Sequence, residues 1–391
     1  MGEIKTFQTI ERDTRKAAQE LYDTLSVSDP ELVVFFCSAN YDLDVLAEEL
    51  LRLFCSIRVI GCTTSGEIGP LGYEYNSISG FCLPRDTFHV AIEVIEGVRD
   101  VPTKEELNIV GGLFRQMDAK VPIVHFDKCF CFMLIDGLSK HEERIVHFLQ
   151  QGFDTIPVIG GSAGDDLRLT DTNVYYNGRF HSKAAAVTLI QTSLPFTVFM
   201  NQHFIASDTR MVITGADPQK RIVSEINGNP AAEEYAKLVG SSVEALDSNI
   251  FSKFPTVVRI ANVDFVRSIQ KKNPNGSLTF YCAIEEGVVL RIAHGGDLIK
   301  SLQGLFSSIK KTIGKPMFTL GCECVLRRME IVNRDLNTAV EALYNDNHVV
   351  GFNSYGEQFR GIHINQTFTG IAFGKAEGNG DKPRRKSCED K

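Results

Sequence analysis

The feature that most constrains this chain is a design it uses three times. Val59-Ile-Gly-Cys-Thr-Thr-Ser-Gly-Glu67, Val158-Ile-Gly-Gly-Ser-Ala-Gly-Asp165 and Val349-Val-Gly-Phe-Asn-Ser-Tyr-Gly-Glu357 share one shape. Each runs from an apolar strand end through a glycine and a few small or polar residues to a second glycine and an acid. Such a loop needs glycine where the backbone takes positive φ or approaches a neighbour closely. In an open α/β sheet, loops at strand ends are where ligands sit. No short period repeats besides this recurrence.

The segments around the loops alternate between strand and helix. Leu32-Val-Val-Phe-Phe-Cys37 is a short apolar run of strand type, and residues 42–54 carry Leu43, Leu46, Leu50, Leu51 and Phe54 at helical spacing. A strand over 57–60 follows. This rhythm predicts an α/β fold of mixed sheets with flanking helices. It continues with Phe130-Cys-Phe-Met-Leu-Ile135 and a helix opening at Ser139, where Ser139 and Glu142 form a capping-box pattern. Residues 5–26 read as a helix, and 184–190 with 196–204 as paired strands. Asn229-Pro230 reads as the start of a helix over 231–239. Strands are expected at 257–260, 278–284, 288–293, 349–352 and 362–373, and helices at 297–311 and 327–344. The chain divides into an N-terminal helical segment 1–29, halves 30–205 and 206–373, and a polar tail 374–391 expected to be disordered. The two halves are expected to be interdependent and to form a shared cleft.

Composition removes several classes of function. Lys and Arg number 41 against 49 Asp and Glu, so the bulk charge is not that of a nucleic-acid binder. No apolar window is long enough to span a bilayer, and the first twenty residues lack a signal-peptide core. The expected location is the cytoplasm, where the cysteines are buried thiols. With 26 Phe and no Trp, apolar pockets are expected to be Phe-lined.

The common nucleotide, hydrolase and metalloprotease signatures are missing. His141 and His147 stand six apart on a helix and do not share a face, so that helix reads as solvated. Cys322 and Cys324, two apart in a strand, point the same way and form a candidate metal pair, expected to be exposed after Gly321. His363, Asn365 and Thr367 fall on one strand face beside the Tyr355-Gly-Glu357 loop and line a candidate polar pocket. His294 ends a strand before Gly295-Gly296, and His203 lies in apolar surroundings. No base or orienting group is evident beside Cys324, so no enzyme is expected.

These loops, with Cys37-Ser-Ala-Asn-Tyr41, Asp136-Gly-Leu138, Tyr175-Tyr-Asn-Gly178, Ile226-Asn-Gly-Asn-Pro-Ala231, the spacing Cys324 to Arg327, and Asn365-Gln-Thr367, resemble the FIST sensory domain over about residues 30–373. The resemblance implies an intracellular sensory module with a small-molecule or gas ligand and a signalling partner such as a histidine kinase. No fused kinase or cyclase segment and no F-box is recognisable. The chain also resembles NosP-type nitric-oxide-sensing proteins. That implies non-covalent haem, with His294, His363 or His203 as candidate iron ligands. An iron–sulfur cluster on Cys322 and Cys324, or no cofactor, is the alternative. Ile364 stands where the family often has His, which places His363 on the opposite strand face. Gly66, Glu67, Arg327, Tyr355, Gly356, Glu357, Asn365 and Thr367 are the expected ligand-binding residues, with the acids pairing with Arg327 or capping a ligand amine. A protein-interaction adaptor without ligand chemistry is the competing reading.

Overall fold

The apolar runs become the central strands of three six-stranded sheets. The computed structural model describes residues 2–97, 103–260 and 262–375. One unit of structure occurs three times. The first contains β1 (Thr6–Thr9), α1 (Thr14–Leu25), β2 (Pro30–Ser38), α2 (Leu43–Leu53), β3 (Arg58–Thr64), β4 (Glu67–Gly69), β5 (Gly72–Glu74) and β6 (Ile78–Pro84). The second repeats this order as β7 (Phe88–Glu96), α3 (Thr103–Asp118), β8 (Cys129–Ile135), α4 (Glu142–Phe153), β9 (Val158–Ser162), β10 (Val174–Tyr176), β11 (Arg179–His181) and β12 (Ala184–Thr192).

The third unit opens with β13 (Phe196–Asn201) and is interrupted by an inserted sheet. The insertion holds β14 (Phe204–Asp217), β15 (Ile222–Ile226), β16 (Asn229–Pro230), α5 (Ala231–Val239), α6 (Ser248–Lys253), β17 (Thr256–Ile260), β18 (Val263–Arg267), β19 (Ile269–Lys272), β20 (Leu278–Phe280) and β21 (Val289–Gly295). The unit then resumes with α7 (Leu298–Ile313), β22 (Phe318–Cys324), α8 (Val325–Asn333), α9 (Asn337–Asp346), β23 (Val349–Ser354), β24 (Glu357–Phe359), β25 (Ile362–Ile364) and β26 (Phe368–Phe373).

Each sheet borrows a hairpin from another unit. The strand orders are β1-β6-β2-β3-β10-β11, β7-β12-β8-β9-β24-β25 and β13-β26-β22-β23-β4-β5. Within a unit β2 runs parallel to β3, β8 to β9 and β22 to β23. The following hairpin leaves its own sheet: β4 pairs with β23, β24 with β9 and β10 with β3. The exchange therefore closes a ring. Backbone hydrogen bonds at the loops repeat it: Ser65 N–H donates to Asn353 O at 3.0 Å, Tyr355 N–H to Ser162 O at 3.1 Å and Gly164 N–H to Thr63 O at 2.9 Å. Asn76, Lys183 and Gln366, at matching places after the hairpins, take φ of 53°, 53° and 54°. The recurrence in the sequence is the trace of this threefold repeat.

Strand alternation sorts the core into layers. Val33, Phe35 and Cys37 of β2 pack under α1 and α2, while Leu32, Val34 and Phe36 face a central core. Cys129, Cys131 and Met133 of β8 likewise face α3 and α4, and Phe130, Phe132 and Leu134 face the centre. All three units feed that centre; Phe36 of the first stacks on Phe352 of the third at 4.5 Å. Burying such a ring contributes about 1.5–3 kcal/mol.

Several local expectations are corrected. Residues 5–26 are not one helix: Phe7 and Thr9 alternate inward on β1, and Asp13 caps α1 by accepting from Lys16 N–H. The capping box at Ser139 does not form; α4 starts at Glu142, whose carboxylate is drawn instead to Arg221 at 2.6 Å. Asn229 does not cap α5, because Asn229 and Pro230 pair with β15. The helix over 327–344 is two helices, broken where Asp335 takes φ 54°. The strand over 362–373 is also two, broken at Gln366. β12 and β13 do not pair; they lie in different sheets. The tail from 376 onward lies outside the described residues.

Parallel strands come unusually close at the first glycine of each loop. A Cβ on Gly351 would stand 1.7 Å from Gly321 O, and one on Gly160 2.1 Å from Met133 O. Gly351→Ala is expected to lower stability by at least about 1–3 kcal/mol through overpacking. Gly304→Ala on α7, with nothing within 4 Å of the new methyl, is expected to raise it by up to about 1 kcal/mol. Urea denaturation of both variants checks the contrast, and equal midpoints would contradict it.

Candidate functional site

The two glutamates after the loop glycines are closed inside the fold. Glu67 and Glu357 are fully buried, and Gly66 and Gly356 before them take φ of 130° and 144°. Thr64 and Ser77 hydroxyls and Ser77 N–H donate to Glu67; Ser354 and Thr367 hydroxyls and Thr367 N–H donate to Glu357. Burial pushes both carboxyls up to about 8. In the second unit the register puts Val174 at this position, because β10 pairs with β3 as β4 pairs with β23. Asp165 is not its counterpart. It organises its own loop, accepting from Leu169, Thr170 and Asp171 N–H at 2.9, 2.7 and 3.0 Å and from the Tyr355 hydroxyl.

Arg327 does not pair with Glu67 or Glu357. It lies fully buried 3.3 Å from Glu323. Its guanidinium also donates to Asn201 at 3.1 Å and faces His203 Nδ1 at 3.2 Å, while His203 Nε2 meets Glu330 at 2.9 Å. Tyr73 and Tyr344 hydroxyls donate to Glu323 from the other side. Both His203 ring nitrogens are thus engaged in a polar core.

The three exchanged hairpins allow a comparison within one molecule. Tyr73 opposite Ile68, Phe180 opposite Tyr175 and His363 opposite Gln358 occupy equivalent positions. Tyr73 is bound to Glu323. Phe180 packs on Phe35 and Tyr175, with ring centroids at 6.1 and 5.1 Å. At His363 the junction is polar and only partly paired. Gln358 Nε2 lies 3.2 Å from His363 Nδ1 and donates to Ser162 Oγ at 2.8 Å. Paired this way, Nδ1 accepts and Nε2 carries the proton. His363 Nε2, both amide atoms of Asn365 and Gln358 Oε1 have no partner among the described residues, although His363 and Asn365 are each only 1% exposed. Burial holds the His363 ring neutral by pulling it down to about 4. Gly356 closes one side: a Cβ there would meet His363 Nε2 at 2.7 Å and Asn365 Nδ2 at 3.0 Å. Buried polar groups without partners are uncommon and costly.

His363 also lines a cleft of about 930 Å³ between the second unit and the insertion. Lys140, Glu143 and Arg144 at the start of α4 form one wall, and Arg267 and Glu285 of the insertion the other. The helix expected to be solvated therefore faces a cavity, and His141 and His147 line it. Arg221 clamps the walls together, donating to Glu142 at 2.6 Å and Glu143 at 2.9 Å, and Ala283 N–H donates to Glu143 at 2.9 Å. Arg267 donates to the His363 carbonyl. Glu143, Arg221, Arg267 and Gln358 escaped the sequence reading; only the charged pair Glu142-Glu143 beside two histidines signalled them.

Cys322 and Cys324 are 2% and 1% exposed, correcting the expectation of exposure. Cys322 packs into the central core, and burial raises both thiols well above their usual range. Among the described residues no group of three or more His, Cys, Asp and Glu is placed to hold a metal ion. His294 is exposed and lines a separate cavity of about 460 Å³ with Phe204, Phe254, Leu326 and Met329. No helix among the described residues is long and apolar enough to cross a membrane.

The raised carboxyls set a direction for pH dependence. Folded Glu67 and Glu357 keep their protons up to about 8, whereas the unfolded chain releases them near 4.5. The folded state binds more protons between those values, so their contribution to stability falls as pH rises through that window. The double variant Glu67→Gln, Glu357→Gln is expected to flatten that fall. Urea midpoints at pH 5 and pH 8.5 measure it, and an unchanged slope would refute the assignment.

Residues 31–229 match the FIST N domain and residues 231–360 the FIST C domain. An uncharacterised protein of Methanocaldococcus jannaschii is 22% identical over 356 residues, covering 81% of this chain and 67% of that protein. A cyanuric acid hydrolase from A. caulinodans aligns over 96% of this chain and 100% of that chain, at 9% identity and a TM-score of 0.33, a likeness too slight to carry an argument. With both domains matched in order over most of its length, the chain belongs to the FIST family, whose domains are sensory domains of signal-transduction proteins.

Proposed function

We propose that this protein is a sensory binding module, not an enzyme, whose small ligand enters the cleft between the second unit and the insertion and meets His363 and Asn365. The supporting observation is the inequality of the three junctions. One is filled by Phe180 and one binds Glu323 through Tyr73, with Asn353 Oδ1 left over beside it, while the third gathers four buried donors and acceptors on Gln358, His363 and Asn365 without partners among the described residues. A ligand supplying complementary polar atoms removes a cost of about 1–3 kcal/mol per group. It also bears on both cleft walls, so binding alters how the insertion sits on α4. That change is what a separate signalling protein such as a histidine kinase would read. A cytoplasmic location accords with this role.

The test uses the repeat itself. His363→Phe installs the residue found at the equivalent position 180, so it is expected to fold with at least parental stability. Thermal shift of the full chain against a panel of amino acids, nucleosides, organic acids and sugars is expected to find a compound whose effect vanishes in His363→Phe and Asn365→Leu. A stabilising compound that acts equally on parent and both variants would overturn the placement.

Haem is the second reading, and the three histidines fit it unequally. His203 has both ring nitrogens occupied, and His363 Nε2 faces Gly356 with no room for a macrocycle. His294, exposed at a largely apolar cavity, is the histidine of the three that would hold a haem there, and the haem would supply the binding of a gas. Neither does an iron–sulfur cluster suit the buried pair Cys322 and Cys324, which lacks further ligands among the described residues. Titrating the full chain with haemin is expected to give a Soret band lost in His294→Ala and kept in His363→Phe. A band unaffected by His294→Ala, or none in the parent, would remove this reading.

A further inference from the structure

At the end of the first sheet opposite to the glycine loops lies a small pocket with an excess of positive charge. It has a volume of about 340 Å³ and is lined by Glu31, Ser56, Arg58, Arg85, His89 and Lys120. Glu31 opens β2 and Arg58 opens β3, so the pocket sits at the N-terminal ends of parallel strands whose C-terminal ends carry the loops. Seven residues of strand at 3.3 Å each separate the two ends by about 20 Å. The site is thus distinct from the cleft at His363.

One carboxylate organises three cations here. Glu31, 6% exposed, faces Lys120 Nζ at 2.5 Å, Arg85 Nη1 at 2.8 Å and Arg58 Nη1 at 3.4 Å. Lys120 Nζ and Arg58 Nη1 are further fixed by Val90 O, at 2.6 and 2.8 Å. The other nearby acid, Asp29, is 82% exposed and 3.5 Å from Arg85. Three positive heads against one buried carboxylate leave a surplus that Glu31 cannot neutralise. Burial, with Arg58 and Arg85 facing it, pulls Lys120 down from its ordinary value. The Arg58 Nε and Nη2 donors remain uncommitted among the described residues, with the Ser56 hydroxyl and the His89 ring beside them. The Arg58 and Arg85 side chains, 44% and 52% exposed, present guanidinium forks to the pocket, and such forks match the oxygens of a tetrahedral anion.

We propose that this pocket is a second ligand site that binds a phosphate group, carried by a small phosphomonoester. The volume exceeds what a bare ion fills, so the ester is the favoured form. The test is isothermal titration of the full chain with inorganic phosphate and, separately, glycerol phosphate. Saturable binding of the ester, tighter than that of the free ion and weakened by added salt, is expected. Arg58→Ala should weaken it at least tenfold, and Glu31→Gln, which keeps all three cations, should bind at least as tightly as the parent. Arg259→Ala, at an exposed ion pair elsewhere, should leave it unchanged. Tighter binding of inorganic phosphate than of the ester would overturn the ester assignment. Absence of saturable binding, or parental affinity in a folded Arg58→Ala, would overturn the site itself.

Discussion

The structure depends on the close approach of paired parallel strands at a glycine and the hairpin exchange that follows it. Gly351 lies so near Gly321 O that no side chain fits between β22 and β23. Directly after that contact the chain turns out of its own sheet and completes the next one. The same event at β3 and β9 closes a ring in which each sheet is finished by another unit. No sheet is complete without residues from both FIST domains or from two units of one domain.

Within that ring the units have diverged at matched positions. Thr64, Glu67 and Ser77 in the first and Ser354, Glu357 and Thr367 in the third form the same buried carboxyl with hydroxyl partners. In the second unit the corresponding residues are Ala163, Val174 and Ala184. The acid and its hydroxyls are absent together, as physical chemistry requires, since either alone would leave an unpaired polar group buried. By that standard the atoms of Gln358, His363 and Asn365 that lack partners among the described residues carry a cost gathered at one junction.

Much of the fold was legible because its determinants are local. The apolar runs from Leu32 to Cys37 and from Phe130 marked central strands, and the glycine loops marked their ends. The loops also disclosed the recurrence, but not its meaning, since pairing of β4 with β23 joins segments far apart in sequence. The acids illustrate the limit. Glu67 and Glu357 were recognisable as a pair, yet only register shows that Val174, not Asp165, is the third member. His363, Asn365 and Thr367 read as one strand face beside the Tyr355-Gly-Glu357 loop; the structure sets His363 and Asn365 against Gly356, but Thr367, past the break at Gln366, turns to Glu357. Arg327 was placed with the wrong acid, because which glutamate a buried arginine meets is set by helix and strand packing. Arg221 and Arg267 lie in an insertion with no repeated counterpart to reveal them.

The hairpin exchange also fixes the order in which the protein can be completed during synthesis. The first unit emerges with β4 and β5 already made, but their partner β23 is translated only near the end of the chain. Until then the hairpin β4-β5 has no sheet to join, and the third sheet cannot form its β4 edge. Contacts of such long sequence separation close slowly. Strands translated long after the first unit are therefore those that lock it, and a nascent chain halted before residue 349 carries an unpaired edge that invites association with other chains.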